Sequence, residues 1–167
     1  MPNWCENYIT FHGPTKILEE IFDAANKNKL LEYLEPIGEW SYDKAIEAWG
    51  TKWEPQEVMA TFHTVSTDAE DVEDTYHVTV WFDTAWSPPV QAYYAAEKRL
   101  GITIEAFYIE EGIGFVGKYT EGTEETYELD FEMGFGNIPD HIIEACNLSD
   151  RRETWLEWKQ QEENKDD

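Results

Sequence analysis

The sequence predicts an α+β domain of the ferredoxin-like, split βαβ kind, with elements in the order βαββαβ and an antiparallel sheet ordered 4-1-3-2. Residues Asn3 to Phe11 alternate with period two, and Gly13-Pro14 stops that run just before an apolar stripe of helical period. After a long insertion, the pattern of strand, strand, helix and strand resumes.

In the first strand Cys5, Asn7, Ile9 and Phe11 share one face, which reads as core, while Trp4, Glu6, Tyr8 and Thr10 share the other. Thr15 is placed to cap a helix whose Ile17, Leu18, Ile21, Phe22 and Ala25 line one side. Residues 30–57 read as an irregular insertion with a short helix from Ser41 to Trp49, followed by Gly50-Thr51-Lys52-Trp53. Val58 to Thr67 and Tyr76 to Asp83 form a hairpin, and the like charges crowded from Asp68 to Asp74 predict a mobile tip. Ser87-Pro88 signals a second helix to Leu100, Gly101 ends it, and Ile102 to Glu110 alternates as a fourth strand.

Beyond the fourth strand, Phe115 to Tyr119 and Tyr127 to Phe131 flank Gly122-Thr123 and predict an added β-hairpin. Pro139 opens a short helix to Ala145, and a last helix from Ser149 sets Trp155 and Trp158 on one face. The expected division is a single domain over 1–150 and a C-terminal helix with a polar tail over 151–167.

Twelve Lys and Arg against 36 Asp and Glu give a formal charge of -24, yet 41% hydrophobic residues and eight Trp mark a chain that folds. Such a charge repels nucleic-acid backbones and anionic membranes, and it attracts a basic protein surface. A folded mimic of DNA is one specific form of that attraction. Cys5 and Cys146 lack metal-ligand spacing and read as reduced, buried thiols. No apolar run reaches the length of a membrane span and no basic leader opens the chain, so a cytoplasmic protein is expected.

The topology brings four separated motifs to one pole of the sheet: Asn3-Trp4-Cys5, Trp49 to Trp53, Thr84 to Ser87, and Glu110 to Gly114. Asn3, Trp4, Trp49, Lys52, Trp53, Thr84, Trp86 and Ser87 are therefore candidate residues of a small-ligand or nucleotide pocket, or else a plug closing the end of the core. Pro2-Asn3-Trp4-Cys5-x-Asn7, Trp49-Gly50-Thr51-Lys52-Trp53 and Thr84-x-Trp86-Ser87-Pro88-Pro89 together resemble the YubB ferredoxin-like family of small proteins carried by phages and plasmids. The resemblance extends to about Tyr119 and implies a ferredoxin-like fold and a mobile-element origin in a bacterial host. It implies no catalytic residues.

His63 and His77 fall on adjacent hairpin strands with shared parity, but no third metal ligand declares itself, and His12 and His141 form no local pattern with them. There is no Gly-x-Ser-x-Gly elbow, and Gly112-Ile113-Gly114 lacks the helix a phosphate loop needs, so no catalytic group, metal or cofactor is expected. Trp4, Tyr8, Trp81 and Phe107 share the face opposite the helices, where RNA-recognition modules stack bases; the charge opposes RNA, and the terminal helix is the expected cover. The functional expectation is a non-enzymatic accessory protein that binds a basic host protein, of a defence or DNA-binding kind. Its acidic surface would comprise Asp68, Glu70, Asp71, Glu73, Asp74, Glu121, Glu124 and Glu125.

Overall fold

A strand inside a sheet buries one face and offers the other, and β1 (Trp4–His12) does both: Cys5, Asn7, Ile9 and Phe11 are buried while Trp4 and Tyr8 are open. The computed structural model describes residues 3–66 and 75–164. Among these, β1 is followed by α1 (Thr15–Asn26), α2 (Leu30–Leu34), α3 (Tyr42–Trp49), β2 (Met59–Val65), β3 (Thr75–Ala85) and α4 (Val90–Leu100). Then come β4 (Thr103–Glu110), β5 (Phe115–Thr120), β6 (Thr123–Glu128), α5 (Asp140–Ala145) and α6 (Leu148–Glu163). The six strands form one antiparallel sheet in the order β2-β3-β1-β4-β5-β6, an α+β architecture with a hairpin added beyond β4.

The main core lies between the sheet and the helices α1 to α4, where Ile9, Phe11, Val80, Phe82 and Ile104 meet Leu18, Ile21, Leu31, Trp49 and Tyr93. Each such side chain contributes roughly 1.5–3 kcal/mol by leaving water. A second core forms on the opposite side of the sheet, where Ile109 and Val116 pack with Phe131, Ile138, Ile142 and Leu148.

Several boundaries differ from expectation, each for a local reason. Pro14 is the residue that precedes α1, and Thr15 is its first helical residue, with no side-chain cap. Ser87 does not cap α4, which starts at Val90; its hydroxyl donates to the Gly50 carbonyl at 2.6 Å and holds the insertion. The insertion contains α2 as well as α3, because the partly buried Glu54 carboxylate accepts the Leu31 and Glu32 amides at 2.5 and 2.9 Å. β6 begins at Thr123 rather than Tyr127: Glu121 and Gly122, both with positive φ (46° and 78°), make a two-residue turn that pairs Thr120 with Thr123. Leu129 and Phe131 have left the sheet by then and fill the second core. The acidic tip with Asp68, Glu70, Asp71, Glu73 and Asp74 lies outside the described residues.

Candidate functional site

On the face of the sheet away from α1 and α4, the strand register sets chemically similar residues in rows. Met59, Trp81, Tyr8, Phe107 and Lys118 stand abreast on β2, β3, β1, β4 and β5. One step toward the start of β1, Asp83 faces Glu6. One step the other way lie Thr61, Thr79 and Thr10, and beyond them His63, His77 and His12. Tyr8 is 48% exposed, Trp81 44% and Met59 58%, so the centre of this face is open to solvent.

The C-terminal helices cover the β4–β5 side of the face, where Phe107 packs against the second core, and leave Met59, Trp81 and Tyr8 open, which corrects the expectation that the terminal helix covers the whole face. Trp155 packs against Phe131, ring centres 6.3 Å apart, while Trp158 remains 58% exposed. Arg151 fixes where the cover ends. Its guanidinium takes both oxygens of Glu6, one bond at 3.0 Å, reaches Glu111 at 2.7 Å, and donates from Nε to the Cys146 carbonyl at 3.0 Å. A trough of 450 Å³ remains between that helix junction and the row of Met59, Trp81, Tyr8 and Phe107.

A second cleft, of 540 Å³, shares Met59 and Trp81 with the trough and adds Trp4, Trp53, Glu57 and Asp83. Three indoles and two carboxylates thus converge at the β2–β3–β1 corner. Neither Glu57 nor Asp83 makes a salt bridge among the described residues. Burial, and after it the neighbouring Glu6 and Glu57 charges, raises the Asp83 carboxyl above its ordinary value against an opposing pull from Arg151.

The motifs expected at the pole do meet there. The Trp86 amide donates to the Asn3 carbonyl at 2.9 Å, the Thr51 hydroxyl to the Ala85 carbonyl at 3.1 Å, and the Thr84 hydroxyl to the Ser87 carbonyl at 2.7 Å. Asn7 donates to Thr84 Oγ1 at 2.9 Å from beneath. Trp86 holds φ +67°, a conformation that is costly for a bulky residue, at the point where β3 ends. Lys52 lies over the rings of Trp53 and Trp86, 4.3 and 5.3 Å from their centres. Trp49 stands apart from the others: it is 3% exposed in the main core, with its indole N–H on the Glu35 carbonyl at 2.8 Å. Trp4 and Trp53 are the two pole candidates that line the 540 Å³ cleft.

The expected His63–His77 pairing is present, rings stacked at 4.5 Å, and His12 joins it 5.6 Å from His77, which corrects the view that His12 forms no pattern with them. Antiparallel pairing of Trp4 with Ala85 carries His12 opposite His77, so the register held that signal. Burial first, then the two neighbouring imidazoles, lowers the His77 pKa. The His63 and His77 rings stack, His12 is tilted to them, and among the described residues no three His, Cys, Asp or Glu are arranged to hold a metal. Cys5 and Cys146 are free and buried, and burial pushes the Cys146 thiol up to about 11 and Cys5 further, away from nucleophilic use. Glu121, Glu124 and Glu125 are exposed at the β5–β6 turn and on edge strand β6, and Glu124 accepts a hydrogen bond from Tyr108 at 2.9 Å.

The sequence-level reading found Trp4, Tyr8, Trp81 and Phe107 but not Met59, Glu57, Asp83 or Arg151. Asp83 was legible from the β1–β3 register; Arg151 had no local signal, because its partner Glu6 lies 145 residues away. Among the described residues no helix is long and apolar enough to cross a membrane. In comparisons with protein-family models, curated proteins and solved structures, nothing matches the chain.

Proposed function

We propose that this chain is a non-enzymatic accessory protein of a phage or plasmid that binds a basic host protein through the open face of its sheet. The observation that carries the reading is the exposed row of Met59, Trp81 and Tyr8 beside the carboxylates of Asp83 and Glu57, in a chain of net charge -24. A contiguous aromatic patch exposed at the centre of a sheet marks an interaction surface, and the surrounding charge selects a cationic partner over nucleic acid. The three-motif resemblance noted in the sequence supports the mobile-element origin. The ferredoxin-like assignment draws on the run β4-β1-β3-β2 within the six-stranded order. Two free, buried thiols suit action in the reducing bacterial cytoplasm. The small-ligand reading of the pole has less behind it, since Trp49 serves the core and Lys52 already occupies Trp53 and Trp86.

The test is affinity capture from host lysate with mass spectrometry. It compares wild type with a Tyr8→Ser/Trp81→Ser variant and with a Glu121→Lys/Glu124→Lys/Glu125→Lys variant, each checked for folding. Basic proteins enriched by wild type and lost with the face variant support the reading. Equal capture by the face variant refutes it, and loss with the β6 variant alone moves the surface to that edge.

A further inference from the structure

The 540 Å³ cleft at the corner of the open face brings together aromatic faces and carboxylates, the two kinds of group that hold cations elsewhere in this molecule. The rest of the molecule shows what those parts do. Lys118 sets its ammonium 2.9 Å from the Glu105 carboxylate and 5.0 Å from the centre of the Phe107 ring. Lys159 does the same with Glu132 at 2.6 Å and Trp155 at 5.2 Å. At both places one aromatic face and one carboxylate share one cation, through ring quadrupole and charge together. The cleft repeats the first two parts in larger number, with Trp4, Trp53, Trp81, Glu57 and Asp83, and among the described residues none of those lining it is basic.

We propose that this cleft is a socket for the guanidinium of an arginine side chain presented by the partner. The assignment rests on the partner-binding reading above and locates its anchor. A guanidinium suits the site better than an ammonium: it is planar, stacks on indole, sheds water more readily, and bonds carboxylates through a fork of donors. Lys52 already lies over the Trp53 ring without lining the cleft, so Trp4 and Trp81, over which no cation lies among the described residues, are the indoles that stack on the guanidinium. Asp83 and Glu57 line the cleft without a salt bridge among the described residues, whereas Glu6 is already paired with Arg151, so these two carboxylates are the ones a guanidinium reaches. Buried arginines stacked on tryptophan at the centre of an interface carry a large share of binding energy, so one filled socket can anchor a wider, weaker acidic contact.

The probe is N-acetyl-arginine amide, with N-acetyl-citrulline amide as its neutral isostere, titrated into the full chain while the indole N–H resonances are followed by NMR. Trp40 and Trp158, 52% and 58% exposed outside the cleft, serve as internal controls. Saturable shifts at Trp4, Trp53 and Trp81, at least about tenfold weaker with citrulline and with Asp83→Asn, support the socket. Equal response to citrulline, or arginine shifts spread evenly over Trp40 and Trp158, overturns it. Trp81→Leu is a second variant, checked for folding; arginine binding unchanged by it counts against the site. If the socket fails while lysate capture still depends on Tyr8 and Trp81, the partner reading stands and its arginine anchor does not. If single-stranded RNA shifts the same indoles in place of arginine, both fail.

Discussion

Glu54 ties the insertion to the fold, and its titration gives a prediction with a computable size. Its carboxylate is partly buried and accepts two of the free amides in the first turn of α2, those of Leu31 and Glu32. Burial pushes its pKa up from 4.5 to about 7, against the opposing pull of those two amides. The folded chain therefore holds a proton there over a pH range in which the unfolded chain has released it. The stabilisation is fully present below about 4.5 and is lost as pH rises through about 7. At about 1.4 kcal/mol per unit, moving from pH 5 to pH 8 removes roughly 2–3 kcal/mol through this group alone. Glu54→Gln keeps one acceptor and loses the titration, at a pH-independent cost of about 1 kcal/mol for the second amide. Urea unfolding of both proteins at pH 5, 6, 7 and 8 reads the difference directly. The variant gains on wild type by roughly 2–3 kcal/mol across that range. Parallel curves refute the assignment of a raised pKa to Glu54.

Two further perturbations probe the sheet and its cover. A Cβ on Gly117 would meet both the Glu125 carbonyl and the Tyr108 hydroxyl at 2.4 Å, so Gly117→Ala must push β6 away from β5. The expected cost is about 1–3 kcal/mol in chemical denaturation, and no change would show that β6 gives way freely. Arg151→Gln removes the forked bond to Glu6 and the bond to Glu111, destabilising by roughly 1–3 kcal/mol. Hydrogen exchange should quicken in α5 and α6 and leave β1 and β3 protected; uniform quickening would contradict the view that Arg151 pins only the cover.

Sequence order and period two were enough to place β1 through β4 and to say which face of β1 is core, because Ile9 and Phe11 alternate with Glu6, Tyr8 and Thr10. The convergence of Asn3, Trp53 and Trp86 was also legible, since antiparallel pairing fixes which strand ends meet. What escaped was decided at long range. α2 has five residues and depends on a carboxylate some twenty positions later, so no local pattern announces it. β6 is acidic and exposed along most of its length, and its start is set by the conformation of Glu121 and Gly122 rather than by apolar alternation. The reach of the C-terminal cover was misjudged because two tryptophans on one helical face suggest one docking surface. Phe131 takes Trp155, and Arg151 ties α6 to Glu6, so the cover reaches Phe107 and leaves Tyr8, Trp81 and Met59 open.

On the proposed function, the partner binds the open face and not the acidic edges. The most direct measurement is an amide chemical-shift map of the full chain titrated with an arginine-rich peptide at moderate salt. Shifts concentrated at Glu6, Tyr8, Trp81 and Asp83, and affinity at least about tenfold lower for Tyr8→Ser/Trp81→Ser, are the predicted result. Shifts confined to β6 and the helical layer, with those four residues silent and the variant binding like wild type, would contradict it.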